Sequence, residues 1–193
     1  MSLGVALPTL RLTLRDLRDS DLERVHAYAS DLEVVRHLDW GPNSVDDTRS
    51  FLALARHARE ASPRTAYHLA IALRTDDQVI GGGRIEIRDA ASGSGDLGYV
   101  LDRVHWGHGY ATEAGRALLA FGFERLGLHR IWARCDVRNA ASARVLEKLG
   151  MRREGLLRHD VRRKGEWHDS YLYAVLEPDW RGAGQPPNPG RTA

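Results

Sequence analysis

Trp106-Gly107-His108-Gly109-Tyr110-Ala111-Thr112-Glu113-Ala114 is the stretch on which the fold of this chain turns. It follows a strand pattern over residues 96–101 and opens a helix near Thr112, because Ala114, Ala117, Leu118 and Phe121 recur at helical spacing. Gly127 closes that helix. The first turn of a helix has N–H groups without partners and a partial positive charge, and small residues let an anion approach them. Strand, Gly107-x-Gly109-x-Ala111 and helix therefore make an anion-binding arrangement, although a plain tight turn fits the same residues. A dinucleotide fingerprint would need a third glycine and an acidic residue about twenty positions later, and a Walker loop would need Gly-Lys-Ser/Thr. Both are absent.

Working outward, Ile131, Ala133, Cys135 and Val137 alternate with Trp132, Arg134 and Asp136 as a strand. Asn139-Ala140-Ala141-Ser142 then opens a second helix, closed by Gly150. Asn is a preferred N-cap, so this start alone needs no function. Two helix starts, each after an apolar strand, place their N–H groups on one edge of a sheet, where ligands of α/β proteins bind. Upstream, Leu10, Leu12 and Leu14 alternate as a strand, and Ser20-Asp21-Leu22-Glu23 reads as a capping box opening a helix to about Tyr28. Ser44 with Asp47 caps a helix to about Glu60, and strands follow over 66–73 and 79–88. Gly81-Gly82-Gly83 inside the latter marks a bulge or a close approach to the backbone. Two last strands, 152–161 and 167–177, turn at Lys164-Gly165. The order β-α-α-β-β-β-α-β-α-β-β predicts an α/β (α+β) domain with a mixed, seven-stranded sheet and about four helices.

The chain has 193 residues, 42% hydrophobic and 28% charged, enough for one well-buried domain. Residues 1–9 are expected to be a flexible N-terminus, 10–180 the domain, and the Gly- and Pro-rich 181–193 a disordered tail. There is neither a long apolar run nor a signal-peptide pattern, and the expectation is a cytoplasmic protein without membrane contact. A formal charge of +2 gives no reason to expect nucleic acid. Cys135, the one cysteine, lies on an apolar face and reads as core. His105 and His108 flank the glycine turn without a third ligand at useful spacing, so no metal is expected.

In order and spacing, the glycine turn, Leu97-Gly98-Tyr99-Val100-Leu101, His129-Arg130-Ile131, the segment from Asn139 to Gly150, and Arg153-Glu154-Gly155 resemble the GNAT acetyltransferase superfamily. The likeness is to its ribosomal-protein N-terminal (Rim-type) branch and spans about residues 10–180. It implies a sheet that is mostly antiparallel, with two central parallel strands, 96–101 and 131–137, splaying apart. The pantetheine arm of acetyl-CoA would insert there and pair with the backbone near Val100 and Leu101. By the same resemblance the pyrophosphate lies on Trp106, Gly107, His108, Gly109, Tyr110, Ala111 and Thr112. Trp106 stands where the family usually has Gln or Arg. Asn139 and Ser142 would border the pantetheine, and Arg144, less so Lys148, the CoA phosphates.

Acetyl transfer to an amine requires deprotonation of the amine, stabilisation of the thioester oxygen and protonation of the leaving thiolate. The tyrosine that many family members use as acid is replaced by Leu146. Ser142 falls where the Rim branch is thought to use a serine, as an acid or only as a hydrogen-bond donor. Asp96 is the first candidate base. Asp160 is the second, with Val161 at the matching register position; Glu86 is the third, and a water chain the remaining choice. Trp40, Tyr67, His68, Trp167 and His168 fall in segments that border the acceptor in similar proteins. The run from Arg158 to Lys164 faces either an acidic partner or solvent. The resemblance favours a protein or peptide N-terminus, including that of a ribosomal protein, as acceptor and admits a homodimer. A small-molecule amine or aminoglycoside acetyltransferase and a catalytically silent acyl-CoA-binding protein are the alternatives.

Overall fold

The computed structural model describes residues 4–163 and 165–182. Lys164 and the expected tail from 183 onward lie outside the described residues. Eight strands form one sheet: β1 (Ala6–Pro8), β2 (Leu12–Asp16), β3 (Ala66–Leu73), β4 (Val79–Asp89), β5 (Ser94–Leu101), β6 (Arg130–Asp136), β7 (Arg152–Arg163) and β8 (Glu166–Leu176). Their order is β1-β2-β3-β4-β5-β6-β8-β7, antiparallel except for β5 against β6. The helices are α1 (Leu22–Ala29), α2 (Val45–Glu60), α3 (Tyr110–Ala120), α4 (Ala140–Lys148) and α5 (Glu177–Gly182).

The parallel pair decides the architecture. β5 and β6 are in register at Ser94↔Arg130, Gly95↔Ile131 and Asp96↔Trp132, and pairing stops there. Residues 97–101 of β5 and 133–136 of β6 run on unpaired with each other, leaving a wedge. β6 is meanwhile held on its other side by β8 along its whole length, from Arg130↔Leu176 to Asp136↔Ser170. The separation is thus fixed by both flanks and not by fraying.

Each face of the sheet has its own core. On one, Leu12, Leu14, Ile71, Ile85, Leu97, Ile131 and Ala133 pack against Leu118 and Leu119 of α3 and Leu146 of α4. On the other, Ala70 and Val79 meet Val25, Tyr28 and Ala29 of α1 and Leu52 and Ala55 of α2. Burying one such aliphatic side chain stabilises by about 1.5–3 kcal/mol. Cys135 belongs to the first core, and burial pushes its thiol up to about 11, so it is inert packing.

The glycine run in β4 is explained by packing. The β3–β4 register shifts between Ile71 and Ala72, and a Cβ on Gly81 would stand 2.2 Å from the Val100 carbonyl oxygen. Both readings of that motif hold at once. Four local expectations are corrected. Residues 6–8, expected to be flexible, pair with β2 as an eighth strand. Ser20 does not cap α1; a short 3-10 turn (Asp19–Asp21) precedes it, in which Asp21 accepts from the Arg18 N–H at 2.8 Å. The choice follows from charge, because Asp21 is buried and bound twice by Arg15, at 2.9 and 3.0 Å. α3 starts at Tyr110, two residues before Thr112. The last strand yields to a fifth helix at Glu177, across the expected end of the domain at 180. The Ser44–Asp47 capping box is present, with reciprocal bonds of 3.1 and 2.9 Å.

Candidate active site

Gly107 and Gly109 both have φ +79°, a left-handed conformation that glycine adopts without strain. Gly109 is the N-cap of α3, and no side chain caps the helix. A Cβ at Gly107 would meet nothing within 4 Å. Open space, uncapped N–H groups and a helix start together suit a phosphate. Trp106 anchors the loop by donating its indole N–H to the Leu101 carbonyl at 2.9 Å. The sequence reading missed Arg11, which holds the turn from outside. Its guanidinium donates to the His108 carbonyl at 2.9 Å and to Glu113 at 2.7 Å, and stacks over Tyr110 at 4.5 Å.

On β5, the Asp102 N–H donates to the Ile80 carbonyl of β4 at 2.9 Å. Antiparallel alternation therefore turns the peptide groups of Val100 toward β4, and those of Tyr99 and Leu101 toward the wedge. The Leu101 carbonyl is already occupied by Trp106, so its N–H and the Tyr99 peptide are what a pantetheine amide would find. Across the wedge, Asn139 caps α4 by accepting from the Ser142 N–H at 3.0 Å. Tyr99, to which the sequence reading assigned no role, reaches over from β5. Its hydroxyl lies 3.1 Å from Ser142 Oγ and 3.2 Å from the Ser142 carbonyl oxygen. Burial raises the Tyr99 hydroxyl above its ordinary pKa, keeping it protonated and able to donate. Arg144 and Lys148 are exposed on α4.

The carboxylates sort themselves by their partners. Asp96 sits at the last paired rung of β5 and β6 and is buried, with one oxygen bound by Arg84 and the other by Arg88. Glu86 completes the network, bound by Arg84 at 2.8 Å and Arg88 at 2.9 Å. Asp160 is different. Its Oδ1 accepts from Arg134 of β6 at 2.8 Å, while Oδ2 is buried with no hydrogen-bond partner. It stands in a β7 irregularity between Leu157 and Val161, where His159 has φ +50°. The irregularity lies directly before Val161, the position that the family register matches.

Among the acceptor-side candidates, Tyr67 is displaced. It stacks edge-on against Phe121 at 5.0 Å on the α3 face. His68 faces the other way, edge-on to Phe51 of α2 at 5.7 Å. Trp40 is partly exposed, and Trp167 stacks on His159. His168 Nδ1 lies 2.8 Å from Arg138. Burial, then Arg84 and Arg64, bring the His68 imidazole down to about 4, whereas the unfolded chain binds that proton near 6.5. Stability from His68 is therefore complete above pH 6.5 and is lost as pH falls toward 4, on the order of 3 kcal/mol. His68→Gln should flatten that limb of a Tm-versus-pH curve; parallel wild-type and variant curves would contradict the burial argument. Among the described residues no group of three His, Cys, Asp or Glu could hold a metal ion, and no helix is long and apolar enough to cross a membrane.

A splayed parallel pair, an uncapped helix start after a glycine turn, and a hydroxyl pair between them stand together at one edge of the sheet. The sequence matches the acetyltransferase (GNAT) domain family over residues 11–152, and the chain belongs to that family. It is 32% identical over 174 residues to the uncharacterized N-acetyltransferase YnaD of Bacillus subtilis (strain 168), covering 90% of this chain and 98% of the relative. A GNAT-family acetyltransferase structure from Bacillus anthracis superposes with TM-score 0.80 and 32% identity, over 90% and 99% of the two chains. A provisionally assigned ribosomal-protein-serine acetyltransferase from Vibrio cholerae gives TM-score 0.78 and 25% identity, over 91% and 99%. This chain is an acetyl-CoA-dependent N-acetyltransferase with the GNAT fold.

Proposed function

We propose that the enzyme acetylates the N-terminal amine of a protein or peptide, as a Rim-type enzyme of the cytoplasm, by direct attack in a ternary complex. The observation that carries the reading is the division of labour across the wedge. Ser142 and Tyr99 lie on the α3–α4 face, while Asp160, with its unpartnered oxygen, is held by Arg134 on the other. Acetyl-CoA supplies an activated acyl thioester. Asp160, directly or through a water, takes the proton from the incoming ammonium. The Leu101 N–H polarises the carbonyl while the nitrogen bonds to its carbon; as the carbon–sulfur bond breaks, Ser142, oriented by Tyr99, hydrogen-bonds the sulfur, and the second amine proton ends on it, so that CoA leaves as the thiol. Holding amine and thioester on opposite sides of one opening makes the reaction effectively unimolecular.

The preference for a protein acceptor is supported by the likeness to the provisionally assigned Vibrio cholerae ribosomal-protein-serine acetyltransferase along nearly the whole chain. The test is a panel of amines with acetyl-CoA: Ser- and Ala-initiated peptides, the same peptides blocked at the α-amine, aminoglycosides and polyamines. One acetyl group should appear on the α-amine of the open peptides only. Turnover of aminoglycosides without peptides would replace this reading, and acetyl-CoA binding without any turnover would leave a silent binding protein.

A further inference from the structure

The α1–α2 side of the wedge carries a charge cluster that acetyl transfer itself does not use. By the register Asp96↔Trp132, Asp136 at the end of β6 stands across the opening from Val100. It is buried, and its pKa is held well below the ordinary carboxylate range; burial opposes this, and hydrogen bonds from Arg138 and Arg163 outweigh it. Arg138 grips it with Nε at 2.9 Å and Nη2 at 2.8 Å. Arg163 of β7 binds the same carboxylate and reaches the Leu38 carbonyl at 3.4 Å. The β7–β8 hairpin and the segment after α1 therefore meet at this point.

One buried carboxylate is thus matched by two guanidinium groups, and the space in front of it adds one further cation, Arg36, and the His37 imidazole, which burial holds below its ordinary pKa. Arg36, His37 and Arg138 line a pocket of about 210 Å³. No acid lines it. At roughly 30 Å³ per water, that is room for about seven waters, or for one short acidic side chain. Arg36 is exposed and only loosely paired with Glu33, at 3.7 Å. Arg138 also feels Glu166, and its Nη1 makes no hydrogen bond among the described residues. His37 Nδ1 is buried without a hydrogen-bond partner, 4.0 Å from Asp136. The unbonded Nη1 of Arg138, the exposed Arg36 guanidinium with only a 3.7 Å contact to Glu33, and an orphaned imidazole nitrogen in one small pocket form a receptor for a carboxylate.

We infer that this pocket reads a carboxylate on the acceptor, so that the enzyme prefers an amine followed within a residue or two by an acidic side chain. The inference rests on the acceptor reading above, taking the wedge's α1–α2 side as the side from which the amine arrives. It differs from that reading in naming what is recognised. The carboxylate has two sources, an acidic side chain in a peptide or the α-carboxylate of a free amino acid, and the pocket's chemistry is common to both.

The test compares Ser-Asp-Gly-Gly-amide with Ser-Asn-Gly-Gly-amide, and free serine with serinamide, by calorimetric binding to the enzyme saturated with CoA and by turnover with acetyl-CoA. A hydrogen-bonded charge pair predicts that the acidic peptide binds about 10- to 100-fold more tightly than its amide twin. That ratio should fall to within about 2-fold in Arg138→Gln and in Arg36→Gln. Arg36 makes no buried contact, so its variant guards against misfolding in the first, and Tm is recorded for both. A larger ratio for free serine over serinamide assigns the pocket to an α-carboxylate. Equal binding of all acidic and amide pairs by the wild type, or ratios unchanged in both variants, would overturn the inference. Selective binding of the acidic peptide without its acetylation would keep the pocket and remove the peptide-acetylation reading.

Discussion

Gly109→Val is expected to raise the KM for acetyl-CoA about 100-fold, equivalent to about 2.7 kcal/mol of lost binding. Two physical effects combine at this position. Gly109 holds φ +79° at the N-cap of α3, where a β-branched residue is strained by about 1–3 kcal/mol and tends to refold the turn. An added Cβ would also stand 3.6 Å from the Arg11 guanidinium that holds the turn through the His108 carbonyl, so the branched side chain disturbs that clasp as well. A loss of stability alone would mimic neither the size nor the selectivity of the effect. Gly127 supplies the comparison: it has φ +65° beyond the far end of α3, with nothing within 4 Å of an added Cβ. Gly127→Val should lower Tm by a similar amount and leave the KM for acetyl-CoA unchanged. If both variants bound the thioester as the wild type does, the loop would be a structural turn only.

What was legible in the sequence was local, and what was missed was brought together by pairing. The glycine turn, the Asn139 cap, the Ser44–Asp47 box and the Gly127 stop are each written within a few residues, because caps and turns depend on short-range geometry. Arg11 clasps Glu113 across 102 positions, and nothing in either segment advertises the other. Asp96 looked free because its arginines come from β4, and Glu86↔Asp96 is a register that exists only once the hairpin is paired. Asp160 looked out of place because the family register matches Val161, and nothing in the sequence announces the bulge beside it, with His159 at φ +50°. Tyr67 was placed with its neighbour His68, although successive strand residues point to opposite faces. β1 has three residues and ends in Pro8, too short for any periodicity to show. The wedge itself was foreseen only through the family resemblance. Composition and spacing do not encode where two parallel strands part company.

Ser142→Ala should lower kcat by about 10- to 100-fold while changing the KM for acetyl-CoA by less than about 3-fold, since a hydrogen bond to developing charge contributes about 1.5–3 kcal/mol. The hydroxyl is small and only partly buried, and Asn139 continues to cap α4 through the Ser142 backbone N–H, so the helix start survives the substitution. Tyr99→Phe keeps the ring packed but removes the hydroxyl 3.1 Å from Ser142 Oγ. It should cost about 5- to 10-fold in kcat, because Ser142 then loses its orientation and not its oxygen. Tyr99 and Ser142 act on the sulfur as one unit in this account. The double variant should therefore be no slower than Ser142→Ala alone, a departure from additivity that independent roles would not give. Wild-type turnover in Ser142→Ala would reduce the serine to a neighbour of the cap. Multiplying effects in the double variant would instead separate the two hydroxyls, leaving Tyr99 to contact the thioester by itself.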